Sequence, residues 1–201
     1  MPEALIFDYG AGNLLSLRVA LEKVGLSVRI GSTAQALKKV DAIALPGVGN
    51  FSAAAKRLAA VSQEIRDAIG YGTPILGICL GLQLFFPRSE EGQGSGLGLY
   101  EGGTVWLPNS VKVPHMGWNT LRIIRDTPFF SGIEEDAYVY FVHSLYPLLD
   151  DKKLTCTETD YGTTFASSIA DKNVFGTQFH PEKSGDTGMK ILQNFARLVK
   201  K

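Results

Sequence analysis

The stretch Pro74-Ile75-Leu76-Gly77-Ile78-Cys79-Leu80-Gly81-Leu82-Gln83-Leu84-Phe85-Phe86 decides how this chain folds. Its first five residues are an apolar, strand-like run and its last five are helix-like. The pentapeptide Gly77-Ile78-Cys79-Leu80-Gly81 therefore falls at a strand-to-helix turn. This G-x-C-x-G spacing has the layout of a G-x-S-x-G nucleophile elbow, with sulfur in place of oxygen. Side chains flanking the nucleophile in so sharp a turn would strike neighbouring backbone, which accounts for glycine on both sides. A thiol there lies at a helix N-terminus, where unpaired N–H groups and the positive dipole end favour thiolate. The competing reading is a free cysteine packed as a small hydrophobe, and the pentapeptide alone leaves both open.

Upstream of the elbow, strand and helix signals alternate. Strands are predicted at 4–8, 26–30, 42–45 and 74–78, with helices at 13–24, 34–39 and 51–69 between them. Near-continuous apolar strands separated by helical patterns imply a mostly parallel sheet covered on both faces. Downstream the character changes. Residues 89–98 are rich in glycine and acid without periodicity, and read as a mobile surface loop. Short strands are predicted at 103–106, 119–124, 138–142, 154–159, 164–167 and 174–179, and an amphipathic helix at 186–200. The expected fold is an α/β, three-layer α/β/α sandwich. Its open sheet is mostly parallel, with antiparallel additions in the second half, and one domain spans residues 1–201.

Composition narrows the function classes. Twenty Lys plus Arg balance twenty Asp plus Glu, so there is no electrostatic footprint for nucleic acid or an anionic membrane. No apolar run approaches the length of a membrane span. The start Met1-Pro2-Glu3-Ala4 has no basic region leading into an apolar one, so secretion is not expected. Two cysteines, Cys79 and Cys156, make a disulfide framework improbable, and a reducing cytoplasm fits.

With three histidines in the chain, the search for a base is short. His180 lies in Gln178-Phe179-His180-Pro181-Glu182, just after a predicted strand, and a residue before proline is driven toward extended backbone. Positions i and i+2 of an extended chain share a side, which puts Glu182 within reach of the imidazole. A nucleophile, a base and an orienting acid make the constellation of acyl transfer. All three fall at carboxyl ends of predicted strands, where open α/β sheets place their ligands. The alternative is a surface His–Glu pair at a strand end. For the oxyanion, the Leu80 N–H is one donor by elbow geometry. The Val48 N–H in Pro46-Gly47-Val48-Gly49 is the candidate for the second, against the plainer reading of an ordinary strand-to-helix turn.

Three segments carry a resemblance: Leu45-Pro46-Gly47-Val48-Gly49-Asn50-Phe51, Gly77-Ile78-Cys79-Leu80-Gly81-Leu82-Gln83 and Phe179-His180-Pro181-Glu182. Together they resemble the class I, triad-type glutamine amidotransferases. Four more segments narrow the likeness: Asp8-Tyr9-Gly10-Ala11-Gly12-Asn13-Leu14, Val113-Pro114-His115-Met116-Gly117-Trp118-Asn119, Phe141-Val142-His143-Ser144 and Gly176 to Ser184. These are similar to the glutaminase subunits of imidazole glycerol phosphate synthases. One departure is Leu145, where the likeness leads one to expect tyrosine.

The resemblance implies that Cys79, His180 and Glu182 hydrolyse L-glutamine through a thioester. Leu80 and Val48 would hold the oxyanion within the loop that Gly47 and Gly49 shape. Gln83, the backbone near Gly49 and Ser144 would hold the substrate. Ammonia would pass to a cyclase subunit of TIM-barrel fold, forming imidazole glycerol phosphate and aminoimidazole carboxamide ribotide. Asn13, Trp118 and Lys183 would lie near that partner, although a tryptophan in an apolar strand is as often core. No cofactor is implied. His115 and His143 lack metal-ligand spacing, so no metal site is expected. Gly10-x-Gly12 reads as a tight turn or partner contact rather than a nucleotide site, and Cys156 reads as structural. Two other functions share parts of the pattern: a glutaminase serving another synthase, such as anthranilate or guanylate formation, and an interaction subunit with a silent triad.

Overall fold

The computed structural model describes residues 1–199. Strands β1 (Glu3–Phe7), β2 (Ser27–Gly31), β3 (Ala42–Leu45) and β4 (Ile75–Ile78) alternate with helices α1 (Leu14–Lys23), α2 (Phe51–Leu58) and α3 (Ser62–Gly70). A one-turn helix α4 (Leu80–Gln83) follows β4. The second half adds β5 (Gly102–Trp106), β6 (His115–Thr120), β7 (Arg122–Ile123), β8 (Tyr138–His143), β9 (Leu145–Leu149), β10 (Thr155–Asp160), β11 (Thr164–Asp171) and β12 (Val174–Thr177). Helix α5 (Gly185–Val199) closes the described chain. Residue 200, the last of the helix expected from sequence, lies outside the described residues.

One eight-stranded sheet runs β2-β1-β3-β4-β12-β11-β10-β7. Its first five strands are parallel and the remaining pairings antiparallel. The reason is visible in the strand sequences. Alternate residues point to opposite faces, and here both sets are apolar. Ala4, Ile6, Ala42, Ala44, Leu76 and Ile78 join one core with α1 and α5. Leu5, Phe7, Ile43, Leu45 and Ile75 join a second core with α2 and α3. Two cores on two faces make the sandwich three-layered, as expected. Two small antiparallel pairs, β5–β9 and β6–β8, stand apart from the main sheet.

Several local expectations are corrected. The helix expected over 51–69 is two helices joined by a 3-10 turn at Ala59–Val61. Val61 leaves the helical region (φ −132°, ψ 10°) and buries its side chain in the second core. Residues 34–39 hold a 3-10 turn at Ala34–Leu37. The helix expected at 82–86 ends at Gln83, and Leu84, Phe85 and Phe86 are buried outside it. The strand expected at 119–124 starts four residues earlier and breaks at Leu121. Strand β9 carries Pro147, which contradicts a central strand but is tolerated in a two-stranded pair. Residues 89–98 are pinned rather than loose: Leu97 is buried and the Glu91 carboxylate accepts from the Phe51 N–H at 2.5 Å.

Candidate active site

Sheet order builds the site. Strands β3, β4 and β12 are neighbours and parallel, so their carboxyl ends share one rim. Residues 46–49 leave β3, Cys79 leaves β4, and His180 follows β12 by three residues. Ile78 pairs with Thr177, and the Cys79 N–H donates to the Thr177 carbonyl at 2.7 Å. The chain then turns so sharply that Cys79 takes φ 52°, ψ −106°, a left-handed conformation strained for any side chain. A Cβ on Gly47 would come within 2.5 Å of the Leu80 Cβ and 2.6 Å of the Ile78 carbonyl oxygen. Gly47 therefore packs beneath the elbow rather than lining the cleft.

His180 and Glu182 meet at 2.8 Å, Nδ1 to Oε1, with both side chains buried. The route differs from the expected extended chain. Pro181–Lys183 is a 3-10 turn, and it is this turn that folds the carboxylate back onto the ring. The His180 Nε2 is buried and, among the described residues, makes no hydrogen bond of normal geometry. Burial pushes the imidazole down, but the Cys79 sulfur and the Glu182 carboxylate outweigh it and raise its pKa to about 10. The base is thus cationic at neutral pH. Because α4 is a single turn, the long helix dipole expected beneath the sulfur is absent. The nearby positive charge is His180.

A cleft of about 170 Å³ opens at Cys79, lined by Val48, Gly49, Leu80, Gln83, Glu91 and Ser144 among others. A larger cavity of about 390 Å³ is lined by Asn194, Arg197 and neighbours, and by none of these residues. The 46–49 loop is tied to the turn after β1: the Gly12 N–H donates to the Val48 carbonyl at 3.2 Å, and the Tyr9 hydroxyl donates to the Pro46 carbonyl. Burial and then the Cys79 charge hold that hydroxyl well above its usual pKa, so it keeps its proton. This gives Gly10-x-Gly12 its role as a tight turn buttressing the loop.

Three participants were missed from sequence. The Gln178 side-chain amide donates to the Cys79 sulfur at 3.4 Å; its position two residues before His180 was a usable signal. Glu91 reaches the cleft from an aperiodic glycine-rich loop, where no pattern could mark it. His143 is buried in the wall of the cleft, against His115 at 3.0 Å. Of the residues expected at a partner surface, Asn13 is exposed but caps α1 by accepting from the Ser16 N–H at 3.1 Å. Lys183 is exposed, and Trp118 is 55% exposed with its ring edge on Tyr140, so it is not core. Cys156 is fully buried in the first core.

The family model described as Glutamine amidotransferase class-I matches residues 5–199. The chain belongs to that family. This amidotransferase is 48% identical to the protein named Imidazole glycerol phosphate synthase subunit HisH of Caldanaerobacter subterraneus subsp. tengcongensis, over 97% of this chain and 98% of the relative. It is 45% identical to the protein of the same name from Methanocaldococcus jannaschii, over 96% and 98%. Among solved structures, PurLQS from Thermotoga maritima superposes with a TM-score of 0.80 at 23% identity, covering 98% of each chain. A glutamine amidotransferase from the same organism gives 0.72 at 15%, covering 100% of this chain and 99% of its own. No helix among the described residues is long and apolar enough to cross a membrane.

The buried histidines make the amidotransferase acid-sensitive. Burial holds His143 down to about 3 and His115 down to about 4. Both folded values lie below the free value near 6.5, so the unfolded chain binds more protons as pH falls. His143 alone should cost about 1.4 kcal/mol of stability per pH unit below 6.5. His180 acts in the opposite sense: its contribution is complete below 6.5 and is lost progressively as pH rises from there to about 10. Urea unfolding between pH 7 and 5 should show the loss, and His143→Asn should flatten the slope; an unchanged slope would refute the assignment.

Proposed function

We propose that this chain is the glutaminase subunit of an imidazole glycerol phosphate synthase, acting as one amidotransferase domain in the cytoplasm. It would release ammonia from L-glutamine and deliver it to a TIM-barrel cyclase subunit, which makes imidazole glycerol phosphate and aminoimidazole carboxamide ribotide. The observation that carries the chemistry is a buried imidazole with a carboxylate on Nδ1 and a free Nε2 beside a strained cysteine at a cleft. The near full-length likeness to proteins named HisH supports the choice of synthase.

In this reading the proton shared by Cys79 and His180 rests on His180 Nε2, as the raised pKa of the imidazole favours, and the Cys79 thiolate attacks the side-chain amide carbon of glutamine. The oxyanion forms on the N–H groups of Leu80 and Val48. Collapse of the tetrahedral adduct breaks the C–N bond, with His180 protonating the leaving ammonia. Water, deprotonated by His180, then cleaves the thioester to glutamate. Glu182 keeps the imidazole in one tautomer and stabilises its cation. The sulfur now lies 3.7 Å from the Val142 carbonyl while His180 Nε2 is unbonded among the described residues, and catalytic contacts such as that between Cys79 and His180 commonly tighten only once substrate is bound.

Both amide protons of Gln83 are committed, to the Leu145 carbonyl at 3.0 Å and to Gln178 Oε1 at 3.1 Å. Its Oε1 remains for the substrate, and with the Glu91 carboxylate it suits the α-ammonium group. Glu91→Gln preserves an oxygen for the Phe51 N–H but removes the charge. It should raise KM for glutamine by about ten- to a hundred-fold, the worth of one charged hydrogen bond, with kcat within about three-fold. Steady-state kinetics check it.

Leu15, Met116, Trp118 and Tyr138 are each more than half exposed, and Leu15 and Val19 line a shallow groove with Glu182. Exposed apolar residues of this kind suit the docking of a partner subunit. The deciding experiment measures ammonia release from glutamine by the chain alone and together with the cyclase and its ligand. Turnover that rises at least ten-fold with the partner supports the reading. Full turnover in its absence, or none with it, sinks the reading.

A further inference from the structure

Two imidazoles that the triad does not use are buried at the cleft: His143 in its wall and His115 packed against His143. His115 and His143 face each other across the β6–β8 pair, in direct register. They sit among aromatic rings: His115 stacks on Phe141 and Tyr161 with centroids 4.7 and 3.8 Å apart, and Phe165 presents its edge to His143 at 5.2 Å. A pair of polar rings in such a setting is costly unless every donor is matched.

The matching runs one way only. The Leu145 carbonyl is purely an acceptor, so the 2.8 Å contact to His143 Nδ1 puts the proton on that nitrogen. His143 Nε2 is then an acceptor, and the 3.0 Å contact to His115 Nδ1 makes His115 the donor. His115 Nε2 in turn accepts from the Asn119 amide at 3.4 Å. Asn119 cannot turn its amide over: its Oδ1 accepts from the Thr120 N–H at 2.8 Å and its Nδ2 donates to the Asp160 carbonyl at 3.0 Å. From the other side, the same Leu145 carbonyl accepts from Gln83, Gln83 donates to Gln178, and Gln178 donates to the Cys79 sulfur. One unbroken polar chain therefore joins Asn119 to the nucleophile, ending on Gln178 and Cys79, which are 99 positions apart in sequence.

The geometry points to His143, oriented by His115 and Asn119, as a positioning residue that sets the Cys79 sulfur through the Leu145 carbonyl, Gln83 and Gln178. Its working part is the Nδ1–H, which anchors the peptide to which Gln83 also binds. Without it, the Leu145 carbonyl loses one of two donors, and the peptide to which Gln83 binds is held from one side only. Burial keeps both rings neutral at physiological pH, as this donor order requires. The claim for turnover rests on the glutaminase reading of Cys79; the claim for sulfur placement does not.

The test separates the two ring nitrogens. Asparagine at 143 can set its amide N–H where Nδ1 stands, whereas glutamine reaches toward His115 and leaves the carbonyl unfilled. Two readouts are needed for the native chain and for His143→Leu, His143→Gln and His143→Asn, each checked for fold by circular dichroism: the rate of Cys79 alkylation by iodoacetamide from pH 6 to 9, and kcat and KM for glutamine in the presence of the cyclase subunit. The Leu and Gln variants should alkylate at least ten-fold more slowly, with a displaced pH profile and a matching loss of kcat. The Asn variant should recover to within about three-fold of the native rate. Native alkylation rates in Leu and Gln, or an Asn variant as impaired as Gln, would overturn the positioning role, since a merely structural histidine would lower the melting temperature and leave the profile in place. Should the Leu variant not fold, the Asn–Gln comparison decides. If alkylation follows the expected order while the native protein with its partner releases no ammonia, the glutaminase reading fails and the positioning role stands.

Discussion

Cys79→Ala is expected to abolish glutamine hydrolysis, lowering kcat by at least about 10⁴-fold, the scale on which removal of a triad nucleophile acts. The alanine keeps the backbone of the elbow, so the folded structure and any partner contact should survive. The same position separates chemistry from strain. At φ 52°, ψ −106°, only glycine is at ease. Cys79→Gly should be as inactive as Cys79→Ala yet more stable than it by about 1 kcal/mol. Ammonia release and urea unfolding of the two variants measure both statements. A loss much smaller than about 10⁴-fold in either variant would show that another nucleophile is at work. Equal stabilities would show that the elbow is not strained.

Gly81→Ala is the second large effect, and it acts on the fold. A Cβ at Gly81 would overlap the Leu45 carbonyl oxygen and approach the Leu45 carbonyl carbon to 2.8 Å and its Cβ to 3.0 Å. None of these is the yielding end of a flexible side chain; they are the close of β3 and the start of the 46–49 loop. The strands must part or the elbow must rotate. Overpacking against backbone of this kind should cost about 3–5 kcal/mol, or roughly 10 °C in melting temperature for a domain of this size. Turnover should fall as well, because the displaced segment holds Val48 and Gly49 at the cleft. Gly70 is the control: it ends α3 and a Cβ there meets nothing within 4 Å. Gly70→Ala should be neutral or slightly stabilising. Thermal unfolding that finds Gly81→Ala no worse than Gly70→Ala would contradict the packing account.

The elbow was legible because its physics is local. Gly77 answers a steric demand inside the elbow, where a Cβ would lie 2.7 Å from the Gly81 backbone, whereas Gly81 makes room for Leu45 of β3; the strand before them shows its burial by composition alone. The His180–Glu182 contact was legible for a similar reason, since the two are neighbours in sequence, although a 3-10 turn and not an extended strand joins them. Trp118 was ambiguous: an apolar strand context does not say whether a face is covered, and here it is open. Glu91 and the loop that bears it were unreadable, because a glycine-rich segment takes its shape from what it packs on, here the start of α2. The early end of α4 was missed because Leu84, Phe85 and Phe86 are apolar at every position, and such a run gives no period with which to tell helix from buried coil.

The amino-acid order by itself determined two apolar sets on alternating strand positions, a glycine-flanked cysteine at a strand end and a histidine with a carboxylate two residues on. Each is a short-range pattern, set by the pleat, by backbone sterics or by reach along a few bonds. Only the tertiary structure decided that β4 and β12 lie side by side in register, that the Gln178 amide touches the Cys79 sulfur across 99 positions, and that His115 faces His143. Such contacts depend on strand order and register, which follow from the joint packing of both cores and cannot be read from any one segment.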